Sequence, residues 1–318
     1  MQGLVTVFGG SGFVGGQVVR QLAKAGHRVR VAVRNPNLAY KMRMLGDVGQ
    51  IEVVQANLHN VDSVARALDG AEAAVNLVGV LFEAGRQQFQ TLHVMGAKTV
   101  AEQAKAAGVK RLVQISAIGA DANAPSKYAR TKAAGEAAVR EAFPGAVVIR
   151  PSIVFGADDK FFNKFGQMAA LFPALPLIGG GETKFQPVYV GDVAAAVAKA
   201  VASPAAEGLT YELGGPVVYS FKQLLEMILR ETGRNRLLAP IPWFAASFIG
   251  KVGDLSPLTP PLTSDQVESL KADNVADKGL PGLAEMGVVP TTVESVVPSY
   301  LYRYRKGGQY AEVPTGAF

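Results

Sequence analysis

The chain has no cysteine, which excludes disulfides, thiolate catalysis and cysteine-ligated zinc or iron–sulfur sites and points to a reducing compartment. Its three histidines, His27, His59 and His93, lie far apart without an HxxxH spacing, so no metal site is predicted. No apolar run reaches the ~20 residues that a spanning helix needs. Met1 is followed within a few residues by a strand pattern, which leaves no room for a signal or transit peptide and predicts that the chain stays where it is made. A basic stripe interleaved with aromatics is also lacking. The net charge of +6 is scattered over helices and strand ends, which argues for a solvated surface with phosphate contacts and against nucleic acid. With 49% apolar and 18% charged residues the chain is an ordinary folded protein, and 318 residues suffice for one and a half to two domains.

The most informative stretch is Val5-Thr-Val-Phe-Gly9-Gly10-Ser11-Gly12-Phe13-Val14-Gly15, an apolar strand running into a glycine-rich turn and a helix. Gly9 allows the tight turn, Gly12 lets backbone approach a pyrophosphate, and Gly15 lets the helix pack close to the sheet. The free amides and positive dipole end of that helix face the anion. Gly9, Ser11, Gly12, Phe13, Val14 and Gly15 are therefore candidate cofactor contacts; a ligand-free βα turn is the alternative. The helix carries Val14, Val18, Val19 and Leu22 and ends at Gly26.

A second strand, Arg28 to Arg34, ends where NAD-preferring folds place a carboxylate, about 20 residues past the glycine loop. Here stands Arg34, followed by Lys41 and Arg43. A guanidinium chelates a 2′-phosphate that a carboxylate would repel, so the expected cofactor is NADP(H). Strand Gln50–Ala56 leads to Asn57 and Leu58, strand Ala73–Val80 carries Val78 and Gly79, and both pairs are candidate cofactor contacts. A helix from Gln87 to Ala107, strand Lys110–Ser116, a helix from Ser126 to Phe143 and strand Ala146–Pro151 complete the alternation. Ser116 and Pro151 fall at carboxyl ends of strands, where open α/β sheets place ligands. The predicted fold is α/β, a Rossmann-like doubly wound parallel sheet over residues 1–155. A smaller mixed α+β region follows over 156–306, some of whose strands can join the first sheet, then a tail at 307–318.

Tyr128 and Lys132 stand at i and i+4 on one helix face. An ammonium beside a phenol favours phenolate and lowers its pKa, and Ser116 could orient a carbonyl, so Tyr128, Lys132 and Ser116 are the candidate catalytic residues. With the glycine loop they resemble the short-chain dehydrogenase/reductase superfamily. The stretches Ser126–Glu136, Phe143–Gly156, Phe161–Phe165 and Gln186–Val193 resemble more particularly its atypical branch, the NADPH-binding accessory subunits of respiratory complex I, the proton-pumping NADH:quinone oxidoreductase. The likeness continues through Leu237–Gly250 and Leu255–Pro260.

The resemblance implies a tightly held NADPH that serves structure or redox sensing rather than turnover. It implies complex I partners in the hydrophilic arm near the quinone site, with anionic lipid as a further contact, on the cytoplasmic face of a bacterial inner membrane. A free NADP-dependent reductase or epimerase, with Tyr128 as general acid, and an NADP(H) redox sensor are the alternatives. Asn57 departs from the Asp usual in the superfamily's extended enzymes, and Ser116 lies closer to the tyrosine than theirs does. The apolar Leu237–Gly250 segment, with the only Trp, reads equally as a buried helix or as a surface for membrane or partner.

Overall fold

The computed structural model of the chain describes residues 2–85, 87–255 and 262–310. β1 (Gln2–Phe8) leads through the glycine turn into α1 (Phe13–Lys24), which buries Val18, Val19 and Leu22. β2 (His27–Val33) is followed by short 3-10 turns at Pro36–Leu38 and Tyr40–Leu45, then β3 (Ile51–Gln55). Asn60 caps α2 (Val61–Leu68) by accepting the Ser63 amide. After β4 (Ala73–Asn76), a π-helical turn at Gln90–Met95 runs into α3 (Gly96–Ala106). β5 (Arg111–Ile115), α4 (Lys127–Ala142), capped by Ser126, and β6 (Val147–Pro151) follow.

Two predicted elements differ in extent. The strand read as Ala73 to Val80 stops at Asn76, because Asn76 Oδ1 accepts the Val78 amide at 3.1 Å and turns the chain out of the sheet. The helix read from Gln87 has its first regular turn widened to a π turn over Gln90–Met95. There α4 packs so closely that a Cβ on Gly135 would lie 2.0 Å from the His93 carbonyl oxygen.

Beyond Pro151 the chain enters a second compact unit with β7 (Val154–Phe155), α5 (Phe162–Leu171), β8 (Ala174–Ile178), β9 (Lys184–Phe185) and β10 (Val188–Tyr189). It returns to the first unit with α6 (Val190–Ala202) and β11 (Thr210–Leu213). β12 (Tyr219–Ser220), α7 (Phe221–Thr232), β13 (Leu237–Ile241), α8 (Trp243–Asp254) and α9 (Ser264–Leu270) belong to the second. Residues 276–289 rejoin the first unit, and those from Pro290 the second. The two units are thus interleaved along the chain, and β11 is a later strand that joins the first sheet.

The first unit is a seven-stranded sheet ordered β11-β6-β5-β4-β1-β2-β3, parallel throughout. Its doubly wound topology is the predicted one, and strand order reverses between β1 and β4. Phe8, Leu68, Val100, Leu112 and Val139 are among the side chains of its core. A charged network ties α4 to the β6–β11 edge. Arg150 binds the buried Glu136 through two hydrogen bonds of 2.8 and 2.7 Å and reaches Glu212 at 3.3 Å. Glu212 also accepts the Asp277 amide at 2.9 Å.

The second unit is built on aromatic contacts among Phe155, Phe161, Phe162, Phe165, Phe185 and Phe221. Tyr300, fully buried, donates to Asp159 Oδ2 at 2.6 Å, and burial pushes both groups above their ordinary pKa values. The Leu237–Gly250 segment combines its two readings. β13 pairs in parallel with β8, and α8 buries Ala246, Gly250 and Gly253. Its other side leaves Phe244 79% and Phe248 69% exposed, together with Val252 and Leu255. Among the described residues no helix is long and apolar enough to cross a membrane. Residues 256–260 of the Leu255–Pro260 motif and 311–318 of the tail lie outside the described residues.

Removing Arg150 takes its two short hydrogen bonds from the buried Glu136, which keeps Arg140 at 3.4 Å, and takes the guanidinium from the buried Glu212. Arg150→Met is expected to lower the unfolding free energy by about 3 kcal/mol, read from urea denaturation midpoints at neutral pH.

Candidate functional site

The glycine loop forms an open anion cradle. Gly9 adopts φ +75°, and the Gly12 amide donates to the Gly9 carbonyl at 3.1 Å. Gly12 is the N-cap of α1, so no side chain caps the helix, and its first turn holds no acidic residue. The amides that start α1 are therefore available to a ligand. A Cβ on Gly12 would meet only the Gly9 oxygen at 3.4 Å, whereas one on Gly15 would strike that oxygen at 2.3 Å. Gly12 keeps the cradle open and Gly15 keeps the helix close. Ser11 is exposed on the loop, and Phe13 and Val14 are half-buried in the first turn.

The remaining candidates divide by strand order. Arg34 stands just past β2, exposed, with Lys41 and Arg43 exposed on the next turn. Asn57 spends its side chain on its own loop, where Oδ1 accepts the His59 amide at 3.1 Å. Ser63 Oγ holds both the amide and the carbonyl of Asn57. Leu58 is packed into the core. Beyond β1 come Val78 and Gly79 past β4, then Ser116 past β5. Ser116 Oγ is buried and has no hydrogen-bond partner among the described residues. Such a group needs one, so this orphan suits a bound ligand. Pro151 is buried, and its carbonyl accepts the Ile118 amide at 3.1 Å.

Gly79, Tyr128 and Lys132 are brought together. Lys132 Nζ lies 5.8 Å from the centre of the Tyr128 ring. A Cβ on Gly79 would approach that Nζ to 3.1 Å. Burial pushes the Lys132 pKa down to about 8, and the charge of Glu136 opposes that effect. Lys132 is thus a buried cation lining the turn past β4. Arg34 and Lys41 stand at the other end of the site, with β1 and the glycine loop between.

One residue of this cluster is missed by the sequence reading. His93, 3% exposed, stacks on Phe89 and meets the Tyr128 ring edge-on. Its Nε2 accepts the Val80 amide at 3.2 Å, which places the ring proton on Nδ1, 3.1 Å from Thr131 Oγ1. Thr131 Oγ1 donates onward to the Tyr128 carbonyl at 3.0 Å. Desolvation, reinforced by the charge of Lys132, lowers the His93 pKa to about 3. The available sequence cue is its helical spacing with Phe89, Ala97 and Val100, which puts it on the inward face. The described residues contain no cluster able to hold a metal ion.

Residues 9–161 match a family model for NAD(P)H binding. The chain is 36% identical over 304 residues to NADH dehydrogenase (ubiquinone) 1 alpha subcomplex subunit 9 of Mus musculus, covering 95% of this chain and 80% of that one. The Arabidopsis thaliana protein of the same name is 35% identical over 316 residues, covering 96% and 79%. In fold the chain is like an NADPH-dependent quinone oxidoreductase from Escherichia coli solved with NADPH, at a TM-score of 0.74 and 23% identity, covering 94% of this chain and 99% of that one.

His93 makes stability depend on pH. With its pKa lowered from 6.5 to about 3, the folded chain binds fewer protons than the unfolded chain between those values. The stability it permits is fully present above pH 6.5 and falls as pH drops, by up to about 1.4 kcal/mol per unit. Unfolding midpoints measured from neutral pH down to about pH 5 are expected to fall more steeply for the wild type than for His93→Gln, which cannot titrate.

Proposed function

Because the chain belongs to the family of NADH dehydrogenase (ubiquinone) 1 alpha subcomplex subunit 9, we propose that it is an NADPH-binding accessory subunit of respiratory complex I. The observation that carries this reading is the extent of the likeness. It covers 95% of the chain, second unit included, and not only the nucleotide-binding residues 9–161.

The residues of the first unit fit the nucleotide. The α1 amides receive the pyrophosphate, and Arg34 with Lys41 receives the 2′-phosphate, which selects NADPH over NADH. On the other side of the glycine loop, Lys132 donates to a ribose hydroxyl and Ser116 Oγ gains the partner it lacks. NADPH supplies a hydride where a substrate can meet it; in this role the contacts hold a fold, and no turnover is required. Tyr128 and Lys132 then serve binding.

The exposed Phe244, Phe248, Val252 and Leu255 of α8 form the docking face, directed to hydrophilic-arm subunits near the quinone site and to anionic lipid. In this reading the protein sits peripherally on the cytoplasmic face of the inner membrane, the side equivalent to the mitochondrial matrix.

Two experiments test the reading. Tagged protein captured from detergent-solubilised membranes is expected to bring NADH:quinone oxidoreductase subunits with it. Phe244→Asp combined with Phe248→Asp should abolish that capture without moving the thermal midpoint, because both side chains are already exposed. Recovery of the wild type only as a free protein overturns the assignment. For the cofactor, Arg34→Glu is expected to weaken NADPH binding at least about tenfold by titration calorimetry and to leave NADH within a few-fold.

A further inference from the structure

We infer that His93 is a positioning residue of the nucleotide site, a clamp that holds the Val78–Val80 turn against α4 and so sets the nicotinamide half of the site. The inference rests on the nucleotide-binding reading above and deepens it.

The turn past β4 is fastened on both sides of Gly79. Asn76 Oδ1 accepts the Val78 amide at 3.1 Å, and Asn76 is itself held by Gln114 at 2.9 Å. His93 Nε2 accepts the Val80 amide at 3.2 Å. Gly79 is left exposed between two pinned amides. The first anchor belongs to the sheet. The second belongs to the π-helical turn and, through Thr131 Oγ1, to the same turn of α4 that carries Tyr128 and Lys132. A Cβ on Gly79 would lie 3.1 Å from Lys132 Nζ and 3.7 Å from His93 Nε2, so the turn has little freedom between them.

The placement of this clamp defines which half of a dinucleotide it governs. The sheet order puts β2 and Arg34 on one side of the glycine loop and β4 and β5 on the other. With the 2′-phosphate at Arg34 and the pyrophosphate on α1, the nicotinamide ribose falls beside Gly79 and Lys132. His93 faces no phosphate. Its loss frees the Val80 amide and shifts the turn, leaving the adenylate half intact. Lys132 and Tyr128 are the charged or titratable groups packed against the ring.

Two probes separate the halves: NADPH, and 2′-phospho-ADP, which lacks both nicotinamide and its ribose. His93→Phe keeps the stack on Phe89 but cannot accept the Val80 amide. It is expected to bind NADPH about tenfold more weakly than the wild type and 2′-phospho-ADP equally well. His93→Gln, whose carboxamide can accept from Val80 and donate to Thr131, is expected to restore NADPH binding to within about threefold. If His93→Phe does not fold, Thr131→Val removes the other end of the clamp and is expected to show the same selective loss. Wild-type protein that binds neither probe overturns the nucleotide reading itself. Wild-type protein that binds both, with the folded variant either matching it on NADPH or losing both probes equally, overturns this inference alone.

Discussion

The nucleotide half of the molecule depends on a contact that only glycine permits. With a side chain at residue 15, a Cβ would sit 2.3 Å from the Gly9 oxygen, and α1 could not start where it does. Its absence lets the helix begin directly beneath the end of β1, so that a helix N-terminus, with its unpaired amides and partial positive charge, opens at the point where strand order reverses. Strand order then distributes everything else. It sets exposed cations past β2 on one side of the glycine loop, and a buried lysine and an orphan serine, past β4 and β5, on the other.

Buried charge requires compensation, and α4 shows how it is arranged. Lys132 and Glu136 are both buried on this helix, one turn apart. Glu136 is neutralised by Arg150, which is shared with Glu212. Among the described residues Lys132 has no such counter-ion at contact distance, and burial, opposed by the charge of Glu136, moves its pKa down to about 8. Stability is concentrated on the sheet-edge side of the helix, while the site side keeps an underpaired cation. Such an arrangement trades folding energy for the capacity to bind.

Much of this was readable in the sequence, for a physical reason. A strand covered on both faces is an uninterrupted apolar run, and the helices between announce themselves by 3.6-residue spacing and by caps such as Asn60 and Ser126. The place of Arg34 was legible because the alternating strand before it ends at Val33. What was not legible depends on contacts between distant residues. The early end of β4 follows from the Asn76 side chain competing for a backbone amide. The return of β11 to pair with β6 cannot be seen in either segment separately. His93 touches residues near positions 80 and 131, and a lone histidine in a helix carries no mark of either.

The interleaving of the two units bears on the order in which the chain is synthesised. Every candidate residue of the nucleotide site lies within the first 151, so this surface leaves the ribosome early. At that moment β6 is an edge strand, with Glu136 and Arg150 already paired but Glu212 not yet made. The strand that covers this edge arrives only at Thr210–Leu213, after part of the second unit has been translated. A nascent chain able to hold its nucleotide therefore spends an interval with an unpaired sheet edge, and bound NADPH would stabilise the half-built sheet through that interval by mass action.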